Sequence, residues 1–130
     1  MGIGGGMPDG FIHNFNASFR VKKNLTIEQI RPLLVSVIND YLHIINDDKT
    51  IRSYLYKYPF TPEELSINLF FYDKNDNEID DPDISVAGVS VGNLSYQSYK
   101  RRKNALPKTI KDIEESYEES IKILHEQQKS

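Results

Sequence analysis

The sequence contains no cysteine among its 130 residues. This absence excludes disulfide bonds, thiolate catalysis, cysteine-ligated zinc and iron–sulfur clusters. Long apolar runs are also missing, because the longest, in residues 33–38, is far too short to cross a bilayer. The formal net charge of -3 is too small to steer a partner towards the whole protein, so only local clusters of charge carry information about binding.

The composition that remains is typical of one globular domain. A hydrophobic fraction of 38% and a charged fraction of 27% lie inside the globular range, and the length is close to that of a single domain. Residues 1–10 are rich in glycine and lack any periodicity, which predicts a flexible arm. Residues 11–127 are then expected to form a single α+β domain.

Apolar periodicity predicts the elements of this domain. Residues 11–21 alternate as in a half-buried strand, with His13 in the buried register. Thr26 and Gln29 form a capping box that opens a helix of about five turns. Further strands are expected at residues 67–72, 84–91 and 94–99, the last two joined by a hairpin turn at Gly92 and Asn93.

A C-terminal helix is predicted after Pro107. Its apolar stripe consists of Ile110, Ile113, Tyr117, Ile121 and Leu124. Together, the elements predict an antiparallel sheet of about four strands, with the long helix and the C-terminal helix packed on one face.

An acidic segment follows the second predicted strand and raises the possibility of a calcium site. Oxygen side chains at alternate positions are how a calcium loop places its ligands. Glu78 and Ile84 stand where an EF-hand needs glycine and glutamate, so that interpretation fails. An acidic turn and a weak, partly hydrated calcium site both remain open. The candidate ligands are Asp73, Asn75, Asn77, Asp80 and Asp81, with Asp76 as a further carboxylate.

A short basic cluster follows the hairpin, beside Tyr96 and Tyr99. It consists of Lys100, Arg101, Arg102 and Lys103. Such a cluster can contact anionic lipid or an acidic partner, or it can be a solvated connection. No nucleic acid is expected as a partner, because the chain is acidic overall.

The connector after the long helix is rich in aromatic residues, namely Tyr54, Tyr56, Tyr58 and Phe60. Tyrosine combines a large apolar face with a polar tip, and alternation places these residues on one side, which indicates a binding surface. The alternative is that they fill the gap between helix and sheet.

No catalytic residue or cofactor is predicted. His13, His43 and His125 are not spaced to share a ligand set, and His13 is expected to be a buried, hydrogen-bonded residue. Ser90 lies in Gly-Val-Ser-Val-Gly, which matches a nucleophile elbow in letters alone. A strand that enters a hairpin cannot form that elbow, which requires a strand running into a helix.

Several short segments resemble a group of uncharacterised small exported proteins of the kind found in Legionella and chlamydia-like organisms. The segments are Gly4-Gly5-Gly6-Met7-Pro8, Ile44-Ile45-Asn46, Ile51-Arg52, Tyr58-Pro59-Phe60 and Glu115-Ser116-Tyr117-Glu118. The resemblance implies a periplasmic or secreted location, and it brings no activity, cofactor or catalytic residue.

We therefore expect a non-enzymatic, exported interaction module with a protein partner. Two alternatives remain: a small hydrolase or lyase that uses His13 with an acidic residue, and a weak calcium-binding module at residues 73–83.

Overall fold

The computed structural model describes residues 2–4 and 10–128. Within the predicted arm, Gly2–Gly4 form a short strand, and residues 5–9 lie outside the described residues. The strands are β1 (Gly2–Gly4), β2 (Phe15–Val21), β3 (Leu65–Phe71), β4 (Val86–Ser90), β5 (Asn93–Arg102) and β6 (Ala105–Ser116). The α-helices are α1 (Ile27–Asp47), α2 (Lys49–Arg52) and α3 (Tyr117–Gln128), and a 3₁₀ turn covers Pro62–Glu64.

The strands form one mixed sheet in the order β1-β2-β3-β4-β5-β6. The predicted α+β class is confirmed, but the sheet has six strands where about four were predicted, and one pairing is parallel where all were expected to be antiparallel. β2 and β3 run parallel, from Phe15 opposite Leu65 to Val21 opposite Phe71, whereas the other neighbours are antiparallel. The reason is the long crossover through α1, which returns the chain to the same end of the sheet before β3 begins.

The predicted long helix and its capping box are confirmed. Thr26 Oγ1 accepts a hydrogen bond from the Gln29 amide at 3.3 Å, and Gln29 Oε1 accepts one from the Thr26 amide at 3.0 Å. The helix continues through Pro32. Ile30, Leu34 and Ile38 recur at four-residue steps and are completely buried, so this stripe fixes α1 against the sheet.

One face of the sheet forms the core. Alternate residues of the strands point towards α1, and the buried ones among them are Ala17, Leu65, Ile67, Leu69, Phe71, Ala87, Val89, Leu94 and Tyr96. α3 packs on the same core through Tyr117, Ile121 and Leu124. None of the helices in the described residues is both long and apolar enough to serve as a membrane span.

The hairpin between β4 and β5 is confirmed, with its turn one residue earlier than predicted. Ser90 pairs with Asn93, so Val91 and Gly92 form the two-residue turn. Both have positive φ, 49° for Val91 and 79° for Gly92, as a type I′ turn requires. The chain therefore places a β-branched residue where asparagine or glycine is usual.

The first half of the predicted C-terminal helix is a strand instead. Residues 105–116 form β6, which pairs with β5 from Asn93 opposite Ser116 to Arg102 opposite Ala105. Without β6 the N–H and C=O groups of β5 would form an unpaired edge, and this pairing with β5 outweighs the helical spacing of Ile110 and Ile113. The helical part of the prediction survives only from Tyr117 onwards.

The first predicted strand is also shorter than expected, because β2 begins at Phe15. Phe11 is exposed, and His13 is half-buried rather than buried. The alternation of buried and exposed side chains that predicted their burial does not extend before Phe15, the first residue that pairs with β3.

Candidate functional site

The connector after α2 is held against the segment before β2 by a short parallel bridge. Ile12 donates a backbone hydrogen bond to the Tyr54 carbonyl at 2.7 Å and accepts one from the Tyr56 amide at 2.9 Å. Because side chains alternate along extended backbone, this bridge directs Leu55 into the core and leaves Tyr54 and Tyr56 outside.

Three of the four predicted aromatic binding residues are on the surface. The exposed fractions of Tyr54, Tyr56 and Tyr58 are 51%, 66% and 50%. The Tyr56 ring stacks on His13 at a centroid distance of 4.1 Å, and the Arg52 guanidinium lies 4.8 Å from the centre of the Tyr58 ring. The tyrosines are therefore partly ordered before any partner arrives.

Phe60 does not belong to this surface, contrary to the prediction. It is buried in the core, and the Asn46 side chain bonds both its amide, at 2.8 Å, and its carbonyl, at 3.0 Å. The 3₁₀ turn and β3 follow directly and return the chain to the sheet. The alternation of side chains along the connector therefore does not place Phe60 on the same exposed side as Tyr58.

An apolar cavity of about 160 Å³ lies beneath the connector. It is lined by Ile12, Phe15, Tyr41, Ile44, Ile45, Ile51, Leu55 and Phe60. Ile44 is 61% exposed and stands at its mouth, while the chain neighbours Phe11 and Tyr54 are exposed beside it. The volume is close to that of an apolar cavity that accepts benzene. The cavity can therefore hold one apolar side chain.

A buried polar cluster, which the sequence pattern did not predict, lies at the N-terminal half of α1, away from the cavity. Arg31 donates from Nε to Glu115 Oε2 at 2.9 Å and from Nη2 to Oε1 at 2.8 Å, and Ser120 also donates to Oε2. Burial opposes ionisation of Glu115, but the hydrogen bonds from Arg31 and Ser120 outweigh it and lower its pKa. The signal was Arg31 itself, which falls on the apolar stripe of α1 between Ile27 and Leu34.

Most of the aspartate side chains in residues 73–83 have a partner within the protein. Asp73 accepts hydrogen bonds from the Asn75 and Asn77 amides, which holds its pKa below the usual range. Asp80 pairs with Arg101, and Asp81 accepts from Ser98 Oγ. In residues 2–4 and 10–128 no group of three or more His, Asp or Glu side chains is close enough to hold a metal ion, so the candidate carboxylates Asp73, Asp80 and Asp81 do not form such a group.

The candidate catalytic residues are likewise dispersed. His13 stacks on Tyr56, His43 pairs with Asp47 on the exposed side of α1, and His125 lies in the last turn of α3. Ser90 ends a strand that enters a hairpin, as predicted, so no nucleophile elbow forms there.

The predicted anion-contacting residues 100–103 lie at the end of β5, where it leaves the sheet. β4 pairs with β5 only as far as Gln97, and beyond that residue β5 and β6 continue as a two-stranded ribbon. Every residue from 100 to 110 is exposed. The cluster is therefore on a projecting hairpin, not in a connection to a helix.

Comparison with known proteins gave no match to a family model, to a curated protein or to a solved structure.

Proposed function

We propose that the protein is a non-enzymatic binding module that takes one apolar side chain of a protein partner into the cavity beneath the connector. The observation that carries this proposal is the cavity itself, lined only by apolar and aromatic residues and open beside exposed tyrosines. Apart from Tyr41, such a site has no acid, base or nucleophile among its lining residues, which favours binding over catalysis.

The energetics support a side-chain anchor. Complete burial of a leucine or phenylalanine side chain contributes roughly 1.5–3 kcal/mol. Tyr54 and Tyr56 add large contact areas at a low cost in conformational entropy, as tyrosines do in many interfaces. A central apolar anchor surrounded by tyrosines is the arrangement in which a few residues dominate the affinity.

The cavity can be tested directly with benzene as the probe. We expect benzene to shift the methyl NMR signals of Ile44, Ile45 and Ile51 in the full chain and to leave that of Ile113 in β6 unchanged. Uniform shifts of all four isoleucines, or none at all, would contradict a specific apolar site.

Partner binding requires a second experiment, the selection of peptides from a random display library on the intact protein. We expect the selected peptides to share one aliphatic or aromatic residue and to lose roughly tenfold or more in affinity with the Ile44→Glu variant. Ile110→Glu is the matched control, because Ile110 is also a partly exposed isoleucine but lies on the ribbon. Equal binding to both variants would reject the cavity as the anchor site.

We also propose that the protein acts outside the cytoplasm, in the periplasm or after secretion, as the resemblance to exported proteins implies. Mass spectrometry of the native protein in fractionated cells tests this proposal. A periplasmic or secreted fraction supports it, and recovery in the cytosol alone would reject it.

A further inference from the structure

The β5–β6 ribbon concentrates positive charge. Six of the 16 Lys and Arg residues lie in residues 98–111, and none of the 19 Asp and Glu residues do. The remaining chain therefore has ten basic and 19 acidic residues, a net charge of -9. The small net charge of the whole protein conceals a basic hairpin attached to an acidic body.

The base of the ribbon is neutralised by the body. Arg101 pairs with Asp80 and also donates to the Glu78 carbonyl, and Lys111 donates to the Pro82 carbonyl. The tip is not neutralised. In the part of the chain that the structure describes, no carboxylate forms an ion pair with Lys100, Arg102, Lys103 or Lys108.

Two of these cations face each other across the ribbon. Lys100 is paired directly with Lys108, and like charges in directly opposed positions destabilise a hairpin. At both register shifts near the tip, the extra unpaired residue belongs to β6 and not to β5. The side chains of β5 therefore alternate regularly, and those of Lys100 and Arg102 lie on the same face of the ribbon. An anionic partner would relieve the repulsion between the lysines.

The tip also carries an isolated apolar group. Leu106 is 82% exposed, the highest value for a large apolar side chain among the described residues, and Pro107 follows it. Arg102 Nε donates to the Leu106 carbonyl at 2.8 Å, which fixes the guanidinium across the turn beside this leucine. The tip therefore combines several cations with the exposed apolar side chain of Leu106.

We propose that the ribbon tip binds the surface of an anionic phospholipid bilayer. Lys100, Arg102, Lys103 and Lys108 would contact phosphate and carboxylate headgroups, and Leu106 would enter the boundary between headgroups and acyl chains. This site is separate from the cavity beneath the connector and does not depend on the proposed function.

The bilayer is favoured over nucleic acid because of what the tip contains. Proteins that bind single-stranded nucleic acid stack bases mainly on aromatic side chains, and no residue between 100 and 110 is aromatic.

Vesicle flotation with the full chain tests the proposal. We expect retention on phosphatidylcholine vesicles that contain about 30 mol% phosphatidylserine, and none on phosphatidylcholine alone. The double variant Lys100→Gln/Lys108→Gln is expected to lose roughly 30-fold in partition coefficient. Leu106→Ser is expected to lose about tenfold, and added salt should weaken the wild type more than the double variant.

The matched control is Lys49→Gln/Lys122→Gln, which removes the same charge from exposed positions of α2 and α3. Equal retention of the two double variants would overturn the assignment of the ribbon. Equal binding to neutral vesicles would overturn the role of the anionic headgroups. Binding of a short DNA duplex by the wild type, without retention on either vesicle, would assign the ribbon to nucleic acid and reject the bilayer.

Discussion

Arg31 and Glu115 form a buried, two-bonded ion pair across 84 positions of the sequence. Arg31 belongs to α1 and Glu115 to β6, so the pair ties the long helix to the edge strand of the sheet. Their side chains are only 9% and 6% exposed. This pair occupies the place where α1, β6 and α3 meet, because Ser120 of α3 also donates to Glu115.

Removal of one partner of this pair is expected to be costly. Glu115→Gln leaves the Arg31 guanidinium buried without a counter-charge, and we expect a loss of about 3–5 kcal/mol in the free energy of unfolding. The measurement is urea denaturation followed by circular dichroism. The double variant Arg31→Met/Glu115→Leu replaces both charges with apolar groups and should be more stable than Glu115→Gln. A double variant less stable than the single one would show that the pair stabilises the fold beyond mutual neutralisation.

The same pair predicts a dependence of stability on pH. The pKa of Glu115 is lower in the folded protein than in the unfolded chain, so its stabilising contribution is present above the ordinary glutamate value of about 4.3. It is lost as the pH falls through the lowered pKa of the folded state. We expect the difference in unfolding free energy between wild type and Glu115→Gln to narrow between about pH 5 and pH 3. A difference that does not vary with pH would contradict the lowered pKa.

A substitution at Tyr96 is expected to increase the free energy of unfolding. Its ring is completely buried, and its hydroxyl has no hydrogen-bond partner among the described residues. Burial, followed by the charge of Glu115, raises its pKa above the usual value of 10.0. Tyr96→Phe keeps the ring and removes the unpaired hydroxyl, so we expect a gain of about 1 kcal/mol in unfolding free energy. A clear loss of stability would indicate that the hydroxyl is bonded in solution.

A substitution in the β4–β5 turn is also expected to increase the stability of the protein. Val91 has φ of 49° and is 73% exposed, so its β-branched side chain occupies left-handed backbone without compensating burial. Val91→Asn is expected to gain about 1 kcal/mol, because asparagine tolerates this conformation. Val91→Ala removes the β-branch, but alanine does not favour left-handed backbone, so we expect a smaller gain in unfolding free energy. Thermal denaturation measures both, and an asparagine variant no more stable than the alanine variant would argue against strain at the turn.

Gly88 illustrates a position where a single methyl group is too large. A Cβ atom there would lie 2.4 Å from the Ile67 carbonyl oxygen and 2.7 Å from Asn68 Oδ1. The first is a backbone atom in the centre of the sheet, so Gly88→Ala requires a shift of strand β3 or β4. We expect a loss of about 1–3 kcal/mol by urea denaturation. Ser95→Ala, on the strand residue opposite Gly88, is the control and should change stability by less than about 0.5 kcal/mol.

Local patterns predicted the elements that rest on local interactions. Thr26 and Gln29 satisfy helix N–H groups within one turn, and the β4–β5 turn needs only two residues with positive φ. Both are properties of neighbouring residues, so the sequence displays them directly.

The errors concern hydrogen-bond partners on other strands, which the apolar spacing within a segment does not reveal. In residues 105–116 the isoleucines have helical spacing, yet the segment is a strand because β5 supplies the hydrogen bonds. The parallel pairing of β2 with β3 could have been inferred from the long helix between them, since parallel neighbours need a crossover of a dozen or more residues.

The candidate site was predictable only in part. An aromatic binding surface was predicted at Tyr54, Tyr56 and Tyr58, and these side chains are exposed. The cavity was not predicted, because Ile12, Ile44 and Leu55 come from three separate segments and their meeting depends on the bridge between Ile12 and Leu55.

The parallel ladder between β2 and β3 has a consequence for the order in which the chain folds. Each pair in it joins residues 50 positions apart, so its formation closes a loop whose entropic cost is about 3 kcal/mol. β3, β4 and β5 instead pair with their immediate successors, and the β4–β5 and β5–β6 turns contain only two residues each. Contacts of low sequence separation form fastest. The nucleus of folding is therefore expected in the C-terminal hairpins, with β2 and α1 docking afterwards.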